Sequence, residues 1–384
     1  AEEFDAMRDA AERALAARPG YPAALFNLAL AQVHDGDAAA ALATLQPLAA
    51  QQIDLGIAAA PEFAPLQEHP AWPRFAASMA AAREPVGAAD EAWTHPVGDF
   101  VPEGIAVAPG GREAWIGSIR FGTIQRLGGS DGVVARPGPH WSVYGMRLRG
   151  DRLWFVSAAV GQFAALDAAD AGRTGLFSVD ANGGVSTAET VLPTRGGPQV
   201  LGDLEFGPDG DVFLADQAGG IVYRYEPDEG RLSALTEPGR FVSPQGVALA
   251  ADGQRLYVAD YARGLFRLDT GTGVATQVPA DAATSLYGID GLYRYGNSLI
   301  AIQNGIQPNR VVLLELSADG TSVAGSRILA MNLPAFDEPN LGQVLGDDFY
   351  FIANSHWNRF DADGNLPAGL AGPVVLRLRL PVDR

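Results

Sequence analysis

Six residues of differing chemical type occupy equivalent places in a recurring run of glycine and apolar residues. They are Glu103, Tyr144, Gly202 (followed by Asp203), Gln245, Asp290 and Asn340. Most of them carry a side-chain oxygen, and carboxylate and amide oxygens are the ligands that hard divalent cations prefer. A position that served only the fold would repeat one residue type. The variation therefore indicates a polar centre, provided that the fold brings these positions together.

The run opens a longer unit that recurs six times between residues 98 and 384. The fourth copy, from Ser243, reads SPQGVALAADGQRLYVAD and continues with GLFRLD. Each copy offers three short apolar strands separated by turns, and the copies start roughly 40–60 residues apart, as propeller blades do. A fourth strand is expected from the variable segments between copies. The sequence predicts a mainly β fold, a six-bladed β-propeller; a β-sandwich with coincidental turn spacing does not explain six matching copies.

The first strand of each blade should line the central channel, so the six positions should meet at one end of it. Oxygen atoms that converge from several blades suit a divalent cation, above all Ca²⁺, with Mg²⁺, Mn²⁺ and Zn²⁺ as alternatives. A polar, water-filled channel mouth whose hydrogen bonds are all satisfied is the other interpretation of the same pattern.

Residues 1–85 are rich in alanine and follow a helical period. Apolar residues such as Leu25 and Ala29 share one helical face, and Leu42 and Leu45 share the next, with a Gly-Asp turn between them and Asp37 as a helix N-cap. This hairpin resembles a tetratricopeptide repeat. A helical cap on the main domain and a peptide-binding arm are both compatible with it. Residues 86–97 are predicted to be a linker, and residues 98–384 the propeller.

Composition excludes several functions. A net charge of −18 makes a nucleic-acid partner unfavourable, and no apolar run is long enough to cross a membrane. The absence of Cys excludes disulfides, zinc–thiolate sites and a cysteine nucleophile. Serine-hydrolase, zincin and phosphate-loop motifs are also missing. The start at Ala, without Met, favours a periplasmic or secreted protein whose signal peptide has been removed; a cytoplasmic protein is the alternative.

Three stretches, PEGIAV, SPQGVALAADGQRLYVAD and GIDGLYRYGNSLIAIQNG, resemble the family of regucalcin (senescence marker protein), gluconolactonase and related lactonases. Paraoxonase and diisopropylfluorophosphatase are more distant relatives. The resemblance covers about residues 98–380. It implies that Glu103, Gln245 and Asp290 bind a divalent metal and that Asp290 is also a candidate general base. The chain departs from the family in having Gln245 where Asn is usual, and Gly202-Asp203 where some relatives have a third-blade Asn.

By this resemblance the chain would be a metal-dependent hydrolase of lactones or related small esters. Asp290 or Asp203 would take a proton from attacking water, and Tyr144 would donate to the developing oxyanion. His140, in a proline-rich loop, is a further candidate base, with a structural role as the alternative.

Substrate contacts are expected from Asn340, Asn304, His356 and Trp357. For Asn304 a polar turn that binds backbone is the favoured alternative, and packing against the insert explains Trp357 equally. The segments 160–175 and 356–372 are the predicted lids. A non-catalytic propeller that binds a small ligand, or a protein partner through its helical arm, is the second hypothesis. An isomerase or lyase that uses the same groups is the third.

Overall fold

The computed structural model describes residues 2–129 and 132–381. Within these residues the strands form four-stranded antiparallel sheets arranged as the six blades of a propeller. The strands, in chain order, are β1 (Asp90–Thr94), β2 (Pro102–Val107), β3 (Ala114–Ser118), β4 (Ile124–Leu127), β5 (Gly132–Ala135), β6 (Ser142–Arg149), β7 (Arg152–Ala158), β8 (Thr174–Asp180), β9 (Thr187–Val191), β10 (Leu201–Phe206), β11 (Val212–Asp216), β12 (Ile221–Glu226), β13 (Arg231–Ala234), β14 (Pro244–Leu249), β15 (Arg255–Asp260), β16 (Gly264–Asp269), β17 (Ala275–Gln277), β18 (Ile289–Tyr295), β19 (Ser298–Gln303), β20 (Arg310–Leu316), β21 (Val323–Met331), β22 (Gly342–Leu345), β23 (Asp348–Ile352) and β24 (Val374–Arg379).

Blades 1 to 5 each consist of four consecutive strands, from β2–β5 through to β18–β21. The first strand of each blade contacts the first strands of its neighbours, so these strands surround the channel. The prediction of a mainly β, six-bladed propeller is confirmed.

Blade 6 is completed by the chain segment that precedes blade 1. Its order is β22, β23, β24 and then β1, which pairs antiparallel with β24. Trp93 of β1 stacks on Tyr350 with ring centroids 5.4 Å apart, and Asp90 pairs with Arg377 at 2.8 Å. The prediction that residues 86–97 are only a linker is therefore wrong, because residues 90–94 close the ring of blades and cover the edge of β24.

The recurring glycine lets the inner strands approach one another closely. A Cβ atom on Gly145 would lie 2.6 Å from the Asp203 carboxylate, and one on Gly246 would lie 2.5 Å from the Leu292 nitrogen. The inner strands of blades 1 to 5 also change register at this point, as between Pro102 and Ile105 in β2. Such bulges re-aim side chains. They occur at or beside the variable position in each of these five blades.

The N-terminal segment contains α1 (Glu2–Ala17), α2 (Pro22–His34), α3 (Ala38–Ala50) and α4 (Trp72–Ala81), and the shorter 3₁₀ helices of the chain are Ile57–Ala59, Pro61–Glu68, Gly98–Phe100 and Trp357–Arg359. Asp37 caps α3 by accepting a 2.9 Å hydrogen bond from the Ala40 nitrogen, as predicted. Leu42, Leu45 and Leu48 are buried in the helical core, which also takes in Ile306 of the propeller. The tetratricopeptide likeness of this segment stays a prediction. Among the described residues no helix is both long and apolar enough to cross a membrane.

Candidate active site at the channel mouth

Glu103 lies in the bulge of β2 and its side chain is held from two directions. The residue is 6 % exposed. Its Oε2 atom accepts hydrogen bonds from the Asn340 amide at 2.8 Å and from the Trp357 indole nitrogen at 2.5 Å. Asn340 is fully buried and also donates to the Pro102 carbonyl, so it positions Glu103. Asn340 has no exposed surface, so its burial does not support the predicted contact with substrate.

Asp290 occupies the equivalent bulge of β18 and is 9 % exposed. Its Oδ2 atom accepts a 2.6 Å hydrogen bond from the Asn304 amide, whose own oxygen accepts one from the Tyr261 hydroxyl at 3.0 Å. The loop that carries Asn304 continues to Ile306, which is buried in the helical core. The helical segment therefore anchors the loop that orients Asp290.

Glu103 and Asp290 form a buried pair of carboxyl groups from blades 1 and 5. Burial raises the pKa of Glu103 well above its usual value, and repulsion from Asp290 and Glu338 adds to the rise, although the hydrogen bonds from Trp357 and Asn340 oppose it. Burial likewise raises the pKa of Asp290 to about 7, against the Asn304 hydrogen bond. Within the described ranges no cationic side chain pairs with either group. Without a bound cation, the pair is therefore only partly ionised at neutral pH.

Glu338 is a third acidic residue of this centre that sequence reasoning missed. It has a φ of 63°, which is rare for a residue with a side chain, and its Oε2 accepts a 2.8 Å hydrogen bond from the Asn358 nitrogen. Burial raises its pKa. The only signal in the sequence is its place two residues before Asn340, and a positive φ cannot be inferred from that.

Asp203 lies near the mouth but is committed to an ion pair. Its carboxylate is 3.3 Å from the Arg147 guanidinium and accepts a 3.3 Å hydrogen bond from the Val247 nitrogen. Arg147 also lies over the Tyr293 ring, 5.6 Å from its centroid. These three side chains from blades 2, 3 and 5 form a floor beneath the carboxyl pair. The predicted role of Asp203 as a base would require it to leave Arg147, so Asp290 is the better placed carboxylate.

Gln245 offers a neutral oxygen at the mouth. Its amide nitrogen donates to the Ser243 hydroxyl at 3.0 Å, and its Oε1 makes no hydrogen bond with the described residues. No group of three or more Asp, Glu and His side chains in the described ranges is close enough to hold a metal ion. The donor set is nevertheless made of oxygen atoms with excess negative charge, which fits a hard cation held by two carboxylates, amide oxygen and water.

Trp357 and Tyr144 give the mouth an aromatic wall, with their ring centroids 6.2 Å apart. Burial raises the pKa of Tyr144, so its hydroxyl stays protonated at all working pH values. Trp357 belongs to the predicted lid 356–372, and this lid approaches the other one, because Gly364 lies beside the Gly161 carbonyl. The structure thus places part of one predicted lid directly against Glu103.

The two candidate histidines make their contacts elsewhere. His140 is buried, with one ring nitrogen 2.6 Å from the Ser186 hydroxyl and the other 2.8 Å from the Gly122 carbonyl. Burial lowers its pKa to about 4. This geometry favours a structural role for His140 over a role as a base, because both ring nitrogens are engaged inside the blades. His356 contacts the Ala371 carbonyl at 2.9 Å, which braces the lid, and its other ring nitrogen lies 3.6 Å from the Asp337 carboxylate.

Comparisons with known proteins support the fold. No family model and no curated protein matches the chain. Among solved structures it is similar to a calcium-binding protein, regucalcin, from Agrobacterium tumefaciens, with a TM-score of 0.54, 18 % identity, and coverage of 76 % of this chain and 93 % of that one. For the PQQ-bound aldose sugar dehydrogenase from Streptomyces coelicolor the TM-score is 0.54 and the identity 16 %, with coverage of 76 % of this chain and 98 % of that one. For a streptogramin B lyase the TM-score is 0.50 and the identity 15 %, with the same coverage of 76 % and 98 %. These neighbours differ in activity, so what the chain shares with them is the β-propeller fold.

Proposed function

We propose that the chain is a hydrolase of lactones or related small esters and that its active site is the channel mouth. The observation that carries the proposal is the pair of buried carboxyl groups, Glu103 and Asp290, which repel each other and have no cationic partner among the described residues. Burying such a pair is costly for folding, so its presence in a channel indicates a catalytic or ligand-binding role.

Asp290 is suited to accept a proton from an attacking water molecule. Without a cation the pKa of Asp290 is about 7, and a bound cation would lower it, so the carboxylate would be ionised and able to accept a proton at neutral pH. The Asn304 amide fixes one carboxylate oxygen, which leaves Oδ1 to face the water. Asn304 is thus a positioning residue in this proposal, and not a substrate contact.

A divalent cation, with Ca²⁺ first, would be held by Glu103, Asp290 and the free amide oxygen of Gln245. When bound, it would supply positive charge to the carbonyl oxygen of the substrate. Trp357 and Asn340 keep the Glu103 carboxylate turned toward the mouth. The protonated Tyr144 hydroxyl is available as a neutral donor to the developing oxyanion, and the aromatic wall restricts the site to small substrates.

The calcium-binding regucalcin and the aldose sugar dehydrogenase among the structural neighbours support a small-molecule ligand and a cation, at the level of fold alone. Hydrolysis is what the carboxyl pair favours within that range of activities. The chain also contains neither Cys nor Lys, so a thiolate nucleophile and a lysine Schiff base are excluded.

The test is a pH-stat assay with a panel of lactones and small esters in the presence of Ca²⁺. Wild-type protein should release acid, and Glu103→Gln and Asp290→Asn should each lower kcat/KM by at least about a hundredfold, as expected for loss of a general base or an electrostatic contact. The matched controls are Glu229→Gln and Asp228→Asn, in an exposed turn, which should match wild type. Equal activity in all four variants, or no hydrolysis of any substrate on the panel, would overturn the proposal.

A further inference from the structure

A second polar cavity lies away from the channel, between the C-terminal end of α3 and the outer part of blade 5. Its volume is about 540 Å³, which is in the range of small-molecule sites. The polar groups of its lining include Gln51 from the helical segment and Ser285, Gln303, Arg310, Arg327 and one acidic residue, Asp281, from the propeller.

Arg310 is the central feature of this cavity. The residue is 3 % exposed. Its Nε donates to the Gln303 amide oxygen at 2.8 Å and its Nη1 donates to the Gln51 carbonyl at 2.6 Å. Its Nη2 makes no hydrogen bond with the described residues, and none of their carboxylates pairs with it. One edge of a permanently charged guanidinium is thus left for another partner.

The surroundings compensate this charge only in part. The Gln51 carbonyl belongs to the C-terminal end of α3, where the helix dipole supplies about half a negative charge. Gln303 offers Arg310 only a neutral amide oxygen and no negative charge. Its amide nitrogen donates to the Ser285 and Tyr287 carbonyls at 2.9 Å each, which fixes the orientation of the amide. Burial alone lowers the pKa of Arg310 to about 10, with no opposing contribution from a carboxylate. In a chain of net charge −18, a buried arginine without an acidic partner is unusual.

Two further buried groups of the cavity lack partners among the described residues. They are the Ser285 hydroxyl and the side-chain oxygen of Gln51. Both residues are at most 5 % exposed. Buried polar groups without protein partners are rare and costly, and they are usually satisfied by ordered water, an ion or a ligand. The Gln51 oxygen requires a hydrogen-bond donor, whereas Arg310 requires an anion, so one occupant should offer both.

We infer that this cavity binds a small oxyanion that also carries a hydroxyl group, with Arg310 holding the anionic oxygens and Gln51 accepting from the hydroxyl. The site is separate from the channel mouth and does not depend on the hydrolase proposal. A hydroxycarboxylate and a phosphate monoester share this chemistry, so the test includes both.

Isothermal titration calorimetry of the full chain tests the inference with gluconate and glycerol 3-phosphate as probes, and with glycerol and chloride as controls. At least one anionic probe should bind saturably, and the controls should give no heat. Arg310→Gln should weaken binding by at least about tenfold, the effect of losing a charge-assisted hydrogen bond. Arg267→Gln, on the third strand of blade 4, should bind as wild type does.

Ser285→Ala is a second variant that tests the inference even if Arg310→Gln does not fold. This substitution removes a hydroxyl that has no partner, so the unfolding temperature should stay the same or rise. Affinity for the anion should nevertheless fall severalfold, whereas the exposed Ser233→Ala should leave it unchanged. The inference is overturned if neither anionic probe binds at millimolar concentration, or if Arg310→Gln and Ser285→Ala, folded as judged by circular dichroism, bind with wild-type affinity.

Discussion

Replacing Asp290 by Asn should make the protein more stable at alkaline pH, because the wild-type carboxylate is forced to ionise inside the channel mouth. The pKa of Asp290 rises from 3.8 to about 7, and each pKa unit corresponds to 1.36 kcal/mol, so its ionisation costs folding about 4 kcal/mol above neutral pH. The amide should still accept the hydrogen bond from Asn304, which preserves the local geometry.

The sign follows from proton binding. Between pH 4 and 7 the folded chain holds a proton on Asp290 that the unfolded chain has lost, so this group stabilises the fold at low pH and the stability falls as pH rises. The variant lacks this decline. Its free energy of unfolding should equal that of wild type near pH 4 and exceed it by about 2–4 kcal/mol at pH 8.5.

Urea unfolding at several pH values in the presence of a chelator measures the difference. Asp228→Asn, at an exposed turn, is the control and should follow the wild-type curve. A stability difference that does not change with pH would refute the reasoning, as would a wild-type protein that is more stable than the variant at pH 8.5.

Three other outcomes are expected. Asn304→Ala removes a hydrogen bond that lowers the pKa of Asp290, so this pKa should rise further and the acidic limb of the pH–rate profile should move to higher pH; an unshifted profile would contradict the positioning role. Trp357→Phe keeps the ring but loses the hydrogen bond to Glu103, so calcium affinity measured by calorimetry should fall about fivefold, and unchanged affinity would show that the indole does not hold the carboxylate. Gly104→Ala should prevent folding, as judged by circular dichroism, because its Cβ would overlap a backbone oxygen of blade 2, whereas a folded variant would show that the inner strands can separate.

The blades were predictable because each copy repeats its apolar strands and turns, and the positions at the channel mouth were predictable because four of the six directly precede the recurring glycine. Strand β1 was not, since DEAWT has little strand character of its own and its partner β24 is far away in sequence. The position of the Glu338 side chain depends on a positive φ of 63°, which cannot be predicted from its residue type.

The floor of the mouth shows the same limit. Asp203 was identified as an acidic site residue, but its partner Arg147 lies on another blade, and only the three-dimensional arrangement reveals that the carboxylate is already paired. His140 is a second example. The sequence allowed it a role as a base or a structural role, and only the fold shows that both of its ring nitrogens are hydrogen-bonded.

The central claim is that Glu103 and Asp290 form one centre for a hard cation. Equilibrium dialysis of chelator-treated protein against Ca²⁺ at pH 8 tests it most directly, because both carboxyl groups then ionise most readily and metal binding displaces their protons. The account predicts one bound ion per chain for wild type and none for Glu103→Gln or Asp290→Asn. No bound ion in wild type, or one retained in both variants, would contradict it.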